Sequence, residues 1–107
     1  MNRDSKMMHF DLQSMIVRHE RTARRFAVRL DKKIGYLSYE KPEPRILDYA
    51  HVYVPPEFRN KGIADKLTQT ALDYARENNF SVIPSCSYVA MYVRKHKKYR
   101  DILVNPG

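Results

Sequence analysis

Apolar and polar positions alternate with a period of two from Arg25 onward, where Phe26, Val28 and Leu30 share one face against Ala27 and Arg29. Asp31-Lys32-Lys33 is a compact polar turn, and Ile34–Glu40 alternates again with a phase shift around Gly35. The two segments predict a β-hairpin. Lys41-Pro42-Glu43-Pro44 is expected to break the chain, because each proline fixes φ and lacks an N–H. Arg45–Val54 is a long apolar run, β-branched toward its end and stopped by Pro55-Pro56, and it predicts a central strand. Ahead of the hairpin, Met15–Val17 suits a short strand. Residues 1–14 show no clear period and are read as an N-terminal extension to a single domain over 15–107.

From about Lys61 to Asn79 the period changes. Ile63, Ala64, Leu67, Ala71, Leu72, Tyr74 and Ala75 form a helical stripe, with Asp65, Lys66, Gln69, Asp73 and Glu77 around it. Asn78-Asn79 suits a left-handed termination. Phe80–Pro84 reads as a short buried strand. Ser85-Cys86-Ser87 then offers N-cap hydroxyls to a second helix, roughly Tyr88–His96. The fold class is α/β (α+β): a mixed central sheet with antiparallel strands first, then a parallel β-α-β unit and a C-terminal helix.

The length of 107 residues and 43% hydrophobic content support one core. No apolar run approaches the roughly 20 residues that span a bilayer, and the first residues carry no signal-peptide pattern. A cytoplasmic protein without a membrane partner is expected. The lone Cys86 fits a reducing compartment, and one Cys with four scattered His offers no metal site. The net charge of +8 resides in the two ends, residues 1–40 and 81–107, while 41–80 is neutral. Its densest run is Arg94-Lys95-His96-Lys97-Lys98-Tyr99-Arg100. Such a run attracts phosphates of a nucleic acid or a small cofactor, or is a solvated helix end.

The chemistry-bearing stretch is Arg59-Asn60-Lys61-Gly62-Ile63-Ala64, between the central strand and the long helix. Unpaired N–H groups at a helix start bind phosphate, Gly62 lets the backbone approach closely, and small Ala64 keeps the first turn open. Arg59 and Lys61 add charge-assisted contacts. Neither the Walker pattern nor G-x-G-x-x-G is present.

The spacing Arg59-x-x-Gly62-x-Ala64 resembles the pyrophosphate-binding pattern Gln/Arg-x-x-Gly-x-Gly/Ala of the GCN5-related N-acetyltransferases. The likeness covers about residues 24–104. It extends to a subgroup of very small members through His51, Tyr74-Ala75-Arg76-Glu77-Asn78-Asn79, the Ser85-Cys86-Ser87 run and Tyr99-Arg100-Asp101-Ile102-Leu103. It implies an acetyl-coenzyme A-dependent enzyme that acylates an amine, small molecule or protein; the short length, which leaves no spare domain to close over a substrate, is read as a monomer with an exposed cleft. Acetyl-coenzyme A would enter between the strands ending at Val54 and Pro84. Its pyrophosphate would lie on the Arg59–Ala64 amides, with Asn60, Lys61 and Ile63 among them. Pantetheine would run along Val52, Tyr53 and Val54, with Ser87 close by, and one strand N–H would polarise the thioester carbonyl. Lys61, Lys66 and the Arg94–Arg100 cluster are candidates for the 3′-phosphate.

The family's Asn-x-x-Ala-x-x-x-Tyr frame stands here as Ser87-x-x-Ala90-x-x-x-Arg94, so its usual tyrosine acid is absent. Tyr88 and Tyr92 are other tyrosines in reach, or half-buried packing. Cys86, at a strand-to-helix junction, either takes part as acyl acceptor or acid, or is a small buried hydrophobe. His51 is a candidate base or a hydrogen-bonded core histidine. Asp48 lies three positions before His51, and period-two counting sets the two on opposite faces. A basic nucleic-acid-binding module is the competing reading, weakened because no aromatic platform is evident. A coenzyme A-binding domain without turnover is another.

Overall fold

The protein is described from a computed structural model over residues 15–104, so the extension expected over 1–14 lies outside the described residues. Five strands form one sheet: β1 Val17–Glu20, β2 Arg25–Leu30, β3 Lys33–Glu43, β4 Ile46–Tyr53 and β5 Ser81–Ile83. They lie in the order β1-β2-β3-β4-β5, antiparallel as far as β4 and parallel between β4 and β5. Helix α1, Ile63–Glu77, makes the crossover, and α2, Ser87–Lys95, follows β5. Short 3-10 turns occupy Pro56–Phe58 and Lys97–Ile102. This is the mixed architecture the periodicities predict.

Three local departures have physical causes. The first strand starts at Val17 rather than Met15, because pairing sets its extent: Val17 opposes Val28 and Glu20 opposes Arg25, while Ile16 is 69% exposed. Strand β3 runs through Pro42 instead of breaking there. Its pairing with β2 ends at Ser38, and its register with β4 is irregular between Glu40 and Glu43, so the missing N–H costs no regular ladder bond. The turn is made at Pro44-Arg45 instead, inside the pair Glu43↔Ile46.

The third departure matters most. Tyr39 opposes Tyr49 but Ser38 opposes His51, so Ala50 is an extra residue in β4. A one-residue bulge moves everything after it to the other face. Val52 therefore joins Leu47 and Tyr49 on the core side. Asp48 and His51, opposite Glu40 and Ser38, share the other face. This corrects the expectation that they point apart.

The core sits between one face of the sheet and the two helices. Phe26, Leu37, Leu47, Tyr49 and Val82 meet Ile63, Leu67 and Leu72 of α1 and Val89 and Val93 of α2. A buried tyrosine needs a partner for its hydroxyl. Tyr49 donates to the Ala71 carbonyl at 2.5 Å and Tyr99 to Asp73 at 2.6 Å. The second bond anchors the tail to α1, and Val104 N–H donates to the Val82 carbonyl at 2.9 Å on the far side of β5. Asn79, with φ 62, ends α1 in the left-handed conformation its sequence suggested.

His19 of β1 is wedged among aromatic rings. It stacks on Phe26 with centroids 4.2 Å apart, meets Tyr74 edge-on at 4.4 Å, and sets Nε2 2.6 Å from the Tyr39 hydroxyl. Burial, with help from Arg21, holds its pKa below the usual 6.5. The unfolded chain then binds more protons, so stability is full above about pH 6.5 and falls as pH drops toward the folded value. Melting midpoints from pH 7.5 down to 5 are expected to fall more steeply in wild type than in His19→Phe. Parallel slopes would show that His19 does not couple to folding.

Candidate functional site

The site begins where β4 and β5 part. Their pairing ends at Asp48↔Ile83, and the last tie is the Cys86 N–H donating to the Tyr49 carbonyl at 2.9 Å. Beyond it, Pro84 and Ser85 lead the chain away into α2 while β4 continues to Tyr53. The β4 edge from Ala50 onward therefore faces an opening instead of a neighbouring strand. The Tyr53 carbonyl lies against Gly35, 3.3 Å from where a Cβ would stand, so it faces β3. Alternation along the strand then turns the backbone groups of Val52 and Val54 into the opening.

The other wall is the start of α1. Gly62 is its N-cap with φ 83, a left-handed value that favours glycine, and it has no side chain with which to cap. The first N–H groups of α1 thus keep their donors and the positive end of the helix dipole. Asn60 is also left-handed, with φ 64. The loop is braced from two sides. Arg59 Nε donates to the Val54 carbonyl at 2.7 Å, and Lys33 of the β2–β3 turn reaches Glu57 at 2.5 Å.

Between these walls lies a cavity of about 450 Å³, within the size range of small-molecule sites. Of the residues singled out from the sequence, Val52, Tyr53, Val54, Arg59, Asn60, Gly62, Ile63, Ala64 and Tyr88 line it. Lys61 and Ser87 are exposed outside that lining. Cys86 stands at the N-cap position of α2 with no side-chain capping bond, so the expected serine hydroxyl cap is not made, and it is half-buried against the core and also outside the lining. His51 is exposed on the opposite face, its ring 6.0 Å from that of Tyr36. The Arg94–Arg100 run is remote: Tyr99 docks on Asp73, eleven residues along α1 from Gly62, or roughly 16 Å at the helical rise.

Two lining residues were missed, Phe58 and Asp65. Tyr88 donates to the Asp65 carboxylate, linking α2 to the first turn of α1. Burial first, and that carboxylate second, push the Tyr88 pKa well up, so it keeps its proton throughout the neutral range. Asp48 was missed as well. It stands at the last paired position, the vertex of the opening, and its Oδ1 is buried with no hydrogen-bond partner among the described residues. A buried carboxylate oxygen without a donor is costly, and Asp48 itself lies outside the cavity lining, on the sheet face it shares with His51. Burial alone would have signalled it, and burial is not written in the spacing.

Residues 25–102 match the model of a family described as GCN5-related N-acetyl-transferase. Protein NATD1 of Mus musculus is 37% identical over 82 residues, which span 75% of this chain and 74% of that protein. Protein NATD1 of Xenopus tropicalis is 34% identical over 85 residues, 78% of each. A GCN5-like protein of Staphylococcus aureus, solved by NMR, superposes with a TM-score of 0.68 at 22% identity, over 87% of this chain and 91% of that one. That last likeness concerns the fold alone.

Proposed function

The chain belongs to the GCN5-related N-acetyltransferase family, and from that premise we propose that it transfers acetyl from acetyl-coenzyme A to an amine. The observation that carries the reading is the pairing of a free β4 edge with a helix start that has no side-chain cap, across one cavity. The first offers strand-like contacts to an amide-bearing chain. The second offers donors to a pyrophosphate.

Acetyl-coenzyme A supplies an acyl thioester when bound. The N–H groups of Ile63 and Ala64 hold the pyrophosphate, which Gly62 admits at close range. Lys61 and Lys66, in the loop and the first turn of α1, are the cations near enough for the 3′-phosphate. The Val52 N–H donates to the thioester oxygen as charge gathers there. Asp48, on the sheet face it shares with His51, takes a proton from an amine that reaches the thioester through the opening from that side, as the carbon–nitrogen bond forms. Tyr88, turned from Asp65 toward the sulfur, donates a hydrogen bond to the leaving thiolate, which takes its proton from solvent once the carbon–sulfur bond has broken.

The test is thiol release from acetyl-coenzyme A in the presence of a panel of primary amines, followed with a thiol-reactive dye. Amine-dependent release is expected, and Cys86→Ala is expected to retain turnover within about threefold, because transfer is direct. An acetyl adduct on Cys86 by intact mass, with turnover lost in the variant, would replace direct transfer with a two-step route. Cofactor binding with no release for any amine would leave a binding domain and refute the enzyme.

A further inference from the structure

A second cavity, about 420 Å³, opens at the other end of the molecule. It lies among the β1–β2 turn, the far end of β3 and the last turn of α1. It is lined by His19, Tyr39, Tyr74 and Phe80, rings that also pack on one another, together with Arg21, Arg24 and Lys41. The Lys41 ammonium stands 5.3 Å from the centre of the Phe80 ring.

The positive charge continues beyond the rim. Arg45 reaches the Asn79 carbonyl at 3.4 Å, and Arg76 donates to the Lys98 carbonyl, which brings the exposed tail cations to the same helix end. Acids here are fewer than the cations: Glu40 holds Arg24 at 3.1 Å, Asp101 holds Arg76, and Glu43 and Glu77 are exposed. Among the described residues, Arg21, Lys41, Arg45, Lys98 and Arg100 have no salt-bridge partner. Cations do stabilise the carbonyl end of a helix, which accounts for Arg45 and Arg76. It does not account for Arg21 and Lys41, which come from the sheet and face an aromatic cavity.

We propose that this end binds single-stranded nucleic acid, with one unstacked base in the cavity and neighbouring phosphates on Arg21, Lys41, Arg45 and Lys98. An acidic peptide would meet the cations but leave the aromatic walls unfilled. A duplex keeps its bases stacked and cannot fill them either. Aromatic faces with a cationic track are the means by which single strands are held. The 15-residue α1 separates this end from the acetyl-coenzyme A loop by roughly 22 Å, so both ligands fit at once.

The experiment is fluorescence anisotropy with a labelled oligouridylate of roughly twelve nucleotides, a length within the usual site range, at low and physiological salt. Saturating acetyl-coenzyme A should not displace it. Arg21→Glu with Lys41→Glu should weaken binding about tenfold or more, and flatten the logarithmic salt dependence by about 1.4. Phe80→Leu should weaken it about fivefold with the salt dependence unchanged. Lys32→Glu, at the opposite end, is the control for Lys41→Glu made alone, the same charge change, and all variants must keep the acetyl-coenzyme A thermal shift. The proposal is overturned if the oligonucleotide does not bind, if acetyl-coenzyme A displaces it, if Lys32→Glu weakens binding as much as Lys41→Glu, or if an RNA duplex of that length binds equally well.

Discussion

Gly62→Trp is expected to erase the thermal stabilisation that acetyl-coenzyme A gives to the wild-type protein. A ligand at a hundred times its dissociation constant adds about 2.7 kcal/mol to the folded state. In a domain this small, each kcal/mol moves the midpoint by about 4–8 °C, so the wild-type shift should be about ten degrees or more. Tryptophan removes it for two reasons. Its side chain fills the space beside the first N–H groups of α1, where the pyrophosphate has to come close. It also disfavours the left-handed backbone, φ 83, that aims those groups, at a cost of about 1–2 kcal/mol for a residue with a Cβ. The variant alone should therefore melt several degrees lower, and the informative quantity is the difference with and without ligand. An undiminished shift in a folded variant would put the cofactor somewhere other than the cradle at α1.

Asp48→Asn separates chemistry from binding. Loss of a positioned base costs about a hundred- to ten-thousand-fold in turnover, while the acetyl-coenzyme A shift should stay as large as in wild type. The deficit should shrink as pH rises, since more of the amine then arrives without its proton. Stability should hold or improve, because the substitution removes a carboxylate whose Oδ1 is buried without a donor. That combination, a dead enzyme that melts no lower, is the mark of a residue kept for function at some expense to the fold. A tenfold loss or less would demote Asp48 to a bystander. So would a lost thermal shift, which would mean that it shapes the cofactor cleft.

Much of the fold was legible because the strongest patterns are local. The stripe from Ile63 to Ala75 gives α1, and the alternation Phe26, Val28, Leu30 gives β2 to the residue. The loop that lines the cavity was legible for a related reason: its shape is carried by backbone, and the left-handed turn at its end favours glycine, so Gly62 with Arg59 and Ala64 marks it. What was not legible is what pairing decides. Pro42 reads as a stop, yet it lies beyond the end of β2 pairing and in an irregular stretch, where a missing N–H does no harm. The contact of Tyr88 with Asp65 joins residues 23 apart in sequence, and no spacing rule connects them. The face of Asp48 was misjudged because counting by two assumes an unbroken ladder, and Ala50 breaks it.

The extra residue at Ala50 makes chain length itself part of the proposed site. Deleting Ala50 would keep every side chain that the chemistry uses, yet rotate all that follows by half a strand period. The Val52 amide would swing from the opening toward β3, and its side chain would leave the core. Side chains between Tyr49 and Val54 can be exchanged one at a time with graded losses, whereas a single shortening there would disconnect the thioester oxygen from its donor while leaving the composition of the site nearly untouched. Engineering of this protein, and any ancestral reconstruction of it, therefore has to treat the number of residues in β4 as strictly as their identity.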